Sequence, residues 1–544
     1  MTGSQDRPPV PFDLAAIESM PDWRRNLAWP LSHKERRAAL KAQMQALIGF
    51  ICGASDDVRG ILSLAGQFLT HNAKVLADTA LALSYAEKHG LRFCGDRPEL
   101  AYLRGDITTP EQSARSWNLP LVGAGPRWAR RIARVASWTP WWRLPGACFF
   151  PSAVAASHNS LLRTAAAMSP KAVGFRHADT WLEAARAAAG DVPPGEGLDD
   201  LAASLAETLS AVGGLEEPWR GRLRSLIEHH AQQVLPVAER DLTALRGYDG
   251  LPGELWAGTG GYYPDRALSL EVLRRGGTVC RFDHGGPTGF TEDKEAIALS
   301  EFLVSTEYVV ATPEMAKMFA ETGAGRLIES SHKVEISGLC GDPTFCAPQR
   351  RRHTSSATRR SVVYVPTTLI GFRQLYPPLL PDIILLDWQL RLASIIASLP
   401  VELICRPHPE GLHPGDHHPL EEVAPLGGGP FEQVMARADL FIFDYPLSST
   451  FWQCLCTDVP VVLLDMGMDE FTPTARPLIE RRCRVIPVAY DERNLPQIDH
   501  AALADAVAGE SVPADPSEFR RLLAGEGQHN GMQQRAGNRK AEKP

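Results

Sequence analysis

The sequence lacks the long apolar run that a membrane span requires, because none of its 544 residues belongs to a stretch approaching about 18 apolar side chains. It also lacks an excess of positive charge: 64 acidic residues outnumber 56 basic ones, giving a net charge of -8. A duplex nucleic-acid partner is therefore disfavoured, although a local basic patch is compatible with this balance. The first residues show no secretory-signal pattern, so we expect a cytoplasmic protein.

Paired metal-ligand and redox motifs are also missing. The ten cysteines are scattered singly, and the closest pair, Cys454 and Cys456, lies inside an apolar stretch. Neither CxxC pairs nor His-x-His sets occur. Reduced, buried thiols are therefore favoured over disulfides or zinc, and we expect neither a bound metal nor a cofactor.

The order of helical and strand-like patterns indicates an α/β protein. Residues from Ser32 to Gly90 and from Leu198 to Leu245 have helical spacing of apolar side chains. From Gly253 onward, short apolar runs such as "TVCRFDHGG" and "KVEISGL" alternate with helices, which is typical of βαβ units in a parallel sheet. The sequence thus predicts a pair of doubly wound, Rossmann-like domains with a helical N-terminal elaboration.

Composition sets the predicted domain limits. Residues 1–250 form the mainly helical region, for which acceptor recognition or membrane docking is a hypothesis. The first Rossmann-like half spans 251–345 together with parts of the preceding region. A polar, basic linker covers 346–360, the second Rossmann-like domain covers 361–510, and 511–544 is a flexible tail.

The stretch "VELICRPHPEGLH", 401–413, places His408 between two rigid prolines at the end of a predicted strand, with Arg406 two residues before it. Arg406 and His408 lie two residues apart and thus on the same side of an extended chain, where both could meet a phosphate. The alternative is a solvated loop histidine beside an unrelated arginine. Glu410 is either a ribose ligand or a surface acid.

The stretch "DLFIFDYPLSSTFW" ends a second buried strand at Asp444. Ser448, Ser449 and Thr450 follow where the next helix begins. Hydroxyl groups and free N–H groups at a helix start suit a phosphate. The alternative is that the serines are only N-caps.

The stretch "CRFDHGGPTGF" places Asp283 and His284 at a strand end in the first half. A histidine oriented by a carboxylate is a general-base arrangement, although neighbours on a strand point to opposite faces. The alternative is a core histidine. Gly285 would let a ligand or another backbone come close.

Two further strand ends carry candidate binding residues. "LWAGTGGYY" ends in Gly258, Gly260 and Gly261, which is an incomplete dinucleotide fingerprint, so we expect these glycines to open room for an acceptor. "YVPTTLIGFRQ" places Thr367 after a strand and Arg373 in the next loop, where both could contact phosphate.

A helix rich in arginine and tryptophan, 127–138, is a candidate membrane surface. Arginines fall on one face and apolar side chains on the other, as in helices that lie in an anionic interface. The alternative is a surface helix whose aromatic face docks on the protein. The predicted membrane residues are Arg127, Trp128, Arg130, Arg131, Arg134 and Trp138.

The motifs "RPHPEG" and "DLFIFDYPLSSTFW" together resemble those of the cytidine-nucleotide-dependent GT-B transferases of bacterial surface polymers. These include CDP-glycerol glycerophosphotransferases, polysialyltransferases and capsule Kdo transferases. "FDHGG" is similar to the His-Gly motif of the glycerophosphotransferases, with Asp283 in place of tryptophan, and "VVYVPTTLIGFR" to their Pro-Thr-x-Arg strand end with an insertion. The resemblance covers roughly Gly253 to Tyr490.

The resemblance implies a metal-independent, GT-B-like transferase with a CMP- or CDP-activated donor and a glycan or lipid-linked acceptor, in the synthesis of capsule, lipopolysaccharide or a similar polymer. His284 would activate the acceptor, while His408 and Ser448 or Ser449 would hold the donor phosphates. A location at the inner face of the cytoplasmic membrane would suit such an acceptor. The alternatives are a GT-B nucleotide-sugar epimerase and a non-catalytic scaffold of polymer assembly.

Overall fold

The computed structural model of the chain describes residues 9–95, 98–108, 127–190, 195–346, 359–369, 380–408, 417–468, 470–509 and 512–526. These residues contain two large parallel sheets, one of six strands and one of five, with helices between successive strands. This topology confirms the predicted α/β class with two doubly wound domains and a helical N-terminal region. Most of the predicted linker, 347–358, lies outside the described residues.

The N-terminal region is mainly helical, as predicted. Its first long helix follows a capping box, in which the Ser32 hydroxyl accepts from Glu35 N and the Glu35 carboxylate accepts from Ser32 N. The elements are β1 (Pro9–Pro11), α1 (His33–Gly53), α2 (Asp56–His89), β2 (Arg92–Cys94), α3 (Pro98–Arg104), α4 (Arg127–Ala136) and α5 (Leu144–Phe149). In the described part of the chain, no helix combines the length and apolar character needed to cross a bilayer.

The first sheet takes in two strands from before residue 251. Its elements are β3 (Ala153–Ala155), α6 (Ser160–Met168), β4 (Val173–Phe175), α7 (Ala178–Ala189), α8 (Leu198–Ser210), α9 (Trp219–Arg246), β5 (Glu254–Ala257), α10 (Tyr263–Arg274), β6 (Thr278–Phe282), α11 (Lys294–Ser300), β7 (Glu307–Val310), α12 (Pro313–Glu321) and β8 (Glu335–Gly338). The strand order is β4-β3-β5-β6-β7-β8, with every pair parallel.

The second sheet has fully buried strands such as Leu440–Phe443, as expected for a parallel sheet covered on both faces. Its elements are β9 (Arg360–Val365), α13 (Asp382–Ala397), β10 (Val401–Cys405), α14 (Phe431–Met435), β11 (Leu440–Phe443), α15 (Ser449–Leu455), β12 (Val461–Asp465), α16 (Ala475–Arg482) and β13 (Arg484–Pro487). After it come β14 (Ala489–Tyr490), β15 (Pro496–Gln497), α17 (His500–Ala508) and α18 (Ser517–Phe519). The order is β10-β9-β11-β12-β13, all parallel.

Both ends of the chain contact more than one domain. In the N-terminal region, Gln45 donates to Glu295 of the first domain at 2.7 Å, and the His33 ring stacks on Tyr490 of the second at 4.1 Å. Near the C-terminus, Phe519 is buried and stacks with Phe290 of the first domain. The predicted flexible tail is therefore ordered around Phe519, because apolar side chains there complete the core between the domains.

Candidate functional site

In each sheet, the strand order reverses beside the first strand of the domain. In the first sheet the second strand, β4, lies on one side of β3 and the third, β5, on the other. In the second sheet, β10 and β11 flank β9 in the same way. Ligands of doubly wound sheets bind beyond the carboxyl ends of the strands at such switch points. The candidate site therefore lies along these two carboxyl edges.

Asp444 closes the switch point of the second sheet. Its buried carboxylate accepts hydrogen bonds from Tyr364 Oη at 2.6 Å, from Thr367 N at 2.6 Å and Oγ1 at 2.8 Å, and from Trp388 Nε1 at 3.0 Å. Burial raises the pKa of Asp444, and the hydrogen bonds oppose this rise. The Asp444 carboxylate thus holds the loop after β11 to the loop after β9, because the backbone N–H and the hydroxyl of Thr367 both donate to it.

The predicted phosphate site begins at α15. Ser448 is at its N-cap, yet in the described structure its hydroxyl bonds to Thr450 Oγ1 at 2.6 Å and does not cap the helix. Ser449 is exposed. Within this pair one hydroxyl donates to the other, so one of its two protons remains for a ligand alongside that of Ser449, which is compatible with the phosphate alternative.

A small pocket of about 10 Å³, with room for about one water molecule, lies beyond the carboxyl ends of β11 and β12. Its walls are formed by Asp444, Pro446, Leu463, Leu464, Asp465, Met466, Met468 and Phe471. Pockets that enclose a drug-sized ligand measure about 300–1,000 Å³. A nucleotide would therefore lie across this edge and outside the pocket.

The loop after β10 is held by Arg406. Its guanidinium donates to the carbonyl oxygens of Gly427 at 2.7 Å and Gly429 at 2.6 Å, so it ties two loops of the carboxyl edge together. His408 is exposed at the same edge. Glu410 and Arg373 lie outside the described residues. Arg406 thus holds two loops of this edge together, and His408 lies exposed beside it.

His284 and Asp283 point in different directions. His284 is exposed beyond β6, whereas Asp283 is buried and accepts from Thr288 Oγ1 at 2.6 Å and Tyr308 Oη at 3.0 Å. Burial raises the pKa of Asp283 to about 6. Asp283 therefore fixes the end of β6 from inside and is turned away from the face that His284 presents.

The loop after β6 lies against the start of α15. A Cβ atom on Gly285 would be 3.9 Å from Ser449 Cβ, and one on Gly286 would be 3.3 Å from Trp452 Cβ. Both glycines have positive φ, which a larger residue would adopt only with strain. The structure thus brings the predicted acceptor loop of one sheet directly to the predicted donor helix of the other.

Packing between the domains continues beyond this loop. The Phe290 ring stacks on Trp452 with 4.4 Å between centroids, and Thr472 N donates to Phe290 O at 2.9 Å. Thr291 also forms an isolated antiparallel bridge with Phe471. The two carboxyl edges are therefore joined along one side of the cleft.

The space beside Gly258 and Gly260 is occupied by other parts of the chain. A Cβ on Gly258 would lie 3.1 Å from Asn159 N, and one on Gly260 would overlap Ser300 O. Gly261 N donates to Thr259 Oγ1 at 3.1 Å. The space that we expected for an acceptor is filled at Gly258 and Gly260, because the loops after β3 and β5 and the end of α11 converge there.

Sequence reasoning missed a histidine-carboxylate pair on the first sheet. His177, directly beyond β4, has Nδ1 2.9 Å from Asp179 Oδ2, and Asp179 Oδ1 accepts from Tyr262 Oη at 2.6 Å. The close contact with the Asp179 carboxylate raises the pKa of His177, and burial opposes the rise. Asp265, fully buried nearby, has its pKa raised to about 6 by burial.

A second missed histidine, His158, follows β3, and burial lowers its pKa. The next residue, Asn159, donates from Nδ2 to the carbonyl oxygens of Gly258 at 3.0 Å and Asp283 at 3.0 Å. The carboxyl edge thus carries histidines after β4, β3 and β6. The signal was present: "AVAASH" and "AVGFRH" are short apolar runs that end in histidine, like "TVCRFDH".

The membrane residues predicted on α4 are only partly described. The side chains of Arg127, Trp128 and Arg130 lie outside the described part. Arg131 donates to Cys148 O at 2.9 Å, and Arg134 lies over the Phe175 ring at 5.9 Å. Trp138 is buried and donates to Val173 O at 3.2 Å. Trp138 therefore docks on the protein, contrary to its predicted membrane role.

Comparison with protein families finds no family model that matches the chain, and comparison with curated proteins finds no match either. Among solved structures, the chain is similar to the glycotransferase of kitacinnamycin, with 14% identity over 68% of this chain and 91% of that chain and a TM-score of 0.29. It is also similar to the glycosyltransferase SnogD from Streptomyces nogalater, with 13% identity, 68% and 98% coverage and a TM-score of 0.25. At these scores neither likeness carries an argument, and the fold rests on the strand order above.

Proposed function

We propose that the protein is a glycosyltransferase-type enzyme that moves a sugar or polyol phosphate from a cytidine-nucleotide donor to a hydroxyl of a glycan or lipid-linked acceptor. The observation that carries this proposal is the contact between the His284–Gly286 loop and the start of α15 at Ser449. This contact supports the proposal because the loop that carries the exposed His284 lies next to a hydroxyl-rich helix start of the other sheet. A group-transfer enzyme needs such a pair of facing subsites.

The donor would bind at the carboxyl edge of the second sheet. Hydroxyls of Ser448, Ser449 and Thr450 would donate to its phosphates, and His408 would add a further donor. Arg406 would act indirectly, since its guanidinium is bonded to Gly427 and Gly429 and holds that loop. Preorganised donors of this kind stabilise the charge that develops on a leaving phosphate.

The acceptor hydroxyl would bind at the edge of the first sheet and lose its proton to His284 as its oxygen forms a bond to the donor carbon or phosphorus. The bond from that atom to the nucleotide phosphate breaks at the same time, and the phosphate oxygen keeps the electron pair. His177 stands three strand positions from His284 in the order β4-β3-β5-β6, which is about 14 Å. The His177–Asp179 pair would thus contact a more distant part of the acceptor.

Thermal unfolding of the full chain with CMP, CDP, UDP, GDP and ADP tests the donor site. A nucleotide at about 100 times its Kd stabilises the folded state by about 2.7 kcal/mol. We expect stabilisation by a cytidine nucleotide that is reduced in Ser449→Ala. Ser394→Ala is the matched control, because Ser394 is an exposed serine on α13, away from this edge.

Other results would change the account. Stabilisation by UDP or GDP alone would refute the cytidine donor and keep the phosphate site. Equal stabilisation of wild type, Ser449→Ala and Ser394→Ala would refute the site at α15. A protein that responds to none of the nucleotides would favour the scaffold of polymer assembly.

A further inference from the structure

Four large aromatic side chains stand exposed on one short segment. Trp141 and Trp142 belong to a single 3₁₀ turn and are 80% and 64% exposed, and Phe149 and Phe150 at the end of α5 are 73% and 85% exposed. Among the exposed large hydrophobic side chains of the described residues, all but Ile107 lie between Ile132 and Met168. Apolar surface concentrated in this way marks an interaction site. We call these four side chains the aromatic patch.

The aromatic patch stands on a well-anchored base. Before it, the buried Trp138 donates to Val173 O. Beneath it, Ala147 of α5 is buried and Arg131 donates to Cys148 O. Beside it, Arg143 donates to Ser169 O at 3.0 Å. The backbone that carries the aromatic patch is thus fixed from three directions, so its exposure is a feature of the folded domain.

The charge around the aromatic patch selects the kind of partner. From Arg127 to His177 the sequence contains eight arginine and lysine residues and neither aspartate nor glutamate, although the whole chain has a net charge of -8. Such a segment is attracted to an anionic surface. A second copy of this chain would present the same positive segment and be repelled.

We infer that the aromatic patch docks on an anionic lipid bilayer. Tryptophan and phenylalanine side chains would enter the interface between headgroups and acyl chains, and the surrounding arginines would meet lipid phosphates. The segment that binds is residues 141–150, and α4 contributes only its charge. This attachment goes beyond the transfer reaction and would hold even if the donor site were assigned wrongly.

Co-sedimentation of the full chain with lipid vesicles tests this inference. The probes are vesicles of phosphatidylcholine alone and vesicles in which about one quarter is phosphatidylglycerol. We expect binding to the anionic vesicles, weakened by high salt, and a loss of about tenfold in the vesicle-bound to free ratio in Trp141→Ala/Trp142→Ala. Ile107→Ala, an exposed apolar residue outside the segment, is the matched control and should bind like wild type.

Arg163→Glu, an exposed arginine on α6 within the same basic segment, should also lower binding to the anionic vesicles, whereas Arg220→Glu, an exposed arginine on α9, should not. All variants should keep the wild-type unfolding midpoint, because every changed residue is at the exposed surface. Failure of wild type to bind anionic vesicles, or equal binding by the double tryptophan variant, would overturn the inference. Self-association that is lost in that variant, without vesicle binding, would also overturn it and assign the patch to a second copy.

Discussion

Replacing Asp444 by alanine removes the acceptor at the switch point of the second sheet. The Trp388 indole N–H and the Thr367 backbone N–H cannot rotate to another partner, and each buried donor left without one costs about 2 kcal/mol. The hydroxyls of Tyr364 and Thr367 can rotate toward another acceptor, so we expect the loss of their bonds to cost little free energy. The structure therefore predicts that Asp444→Ala lowers the free energy of unfolding by about 4 kcal/mol.

Urea titration followed by circular dichroism measures this loss. Tyr364→Phe is the matched variant, because it deletes one donor and leaves the carboxylate with the other three bonds. It should cost about 1 kcal/mol. If Asp444→Ala cost no more than Tyr364→Phe, Asp444 would not hold the loops after β9 and β11 together, and the description of this edge would be refuted.

Three further predictions concern the first domain and its contact with the second. Burial raises the pKa of Asp283 from 3.8 to about 6, so the folded state binds the carboxyl proton more tightly than the unfolded state does. The free energy of unfolding should therefore fall as pH rises from about 4 through 6, where the folded carboxyl loses that proton. This loss is on the order of 3 kcal/mol. Asp283→Asn should therefore flatten the decline of unfolding free energy with pH, and an unchanged slope would refute the raised pKa of Asp283. Phe290→Ala should lower the unfolding free energy by about 3–5 kcal/mol in urea titration, because it empties the stack on Trp452; a loss below about 1 kcal/mol would contradict that packing. His284→Ala should slow transfer by about a hundredfold or more in a nucleotide-release assay while nucleotide-induced stabilisation stays unchanged, and normal turnover would exclude His284 as the base.

Strands β9 to β12 of the second domain were predictable because each is an apolar run that ends in proline, glycine or a polar turn, whereas β13 was not predicted. β3 and β4 were not predictable, because each is only three residues long, and alanine or glycine accompanies the valine and phenylalanine of "AVA" and "VGF" inside an alanine-rich region. Missing them hid the first switch point, and with it His158 and the pair of His177 and Asp179.

The directions of the Asp444 and Asp283 side chains could not be predicted from the sequence either. The sequence placed Asp444 at a strand end, but its partner Trp388 is 56 residues away, and only the assembled sheet shows that the carboxylate points inward. Asp283 is similar, since neighbours on a strand face opposite sides and the buried partner Tyr308 comes from the next strand of the sheet.

A crystal structure of the chain with CDP tests the central claim most directly. The account predicts that the diphosphate lies within hydrogen-bonding distance of the hydroxyls of Ser448 to Thr450, on the side of the cleft that faces His284. CDP bound at the switch point of the first sheet, beside His158 and Asn159, would contradict the account, because the donor and acceptor edges would then be exchanged.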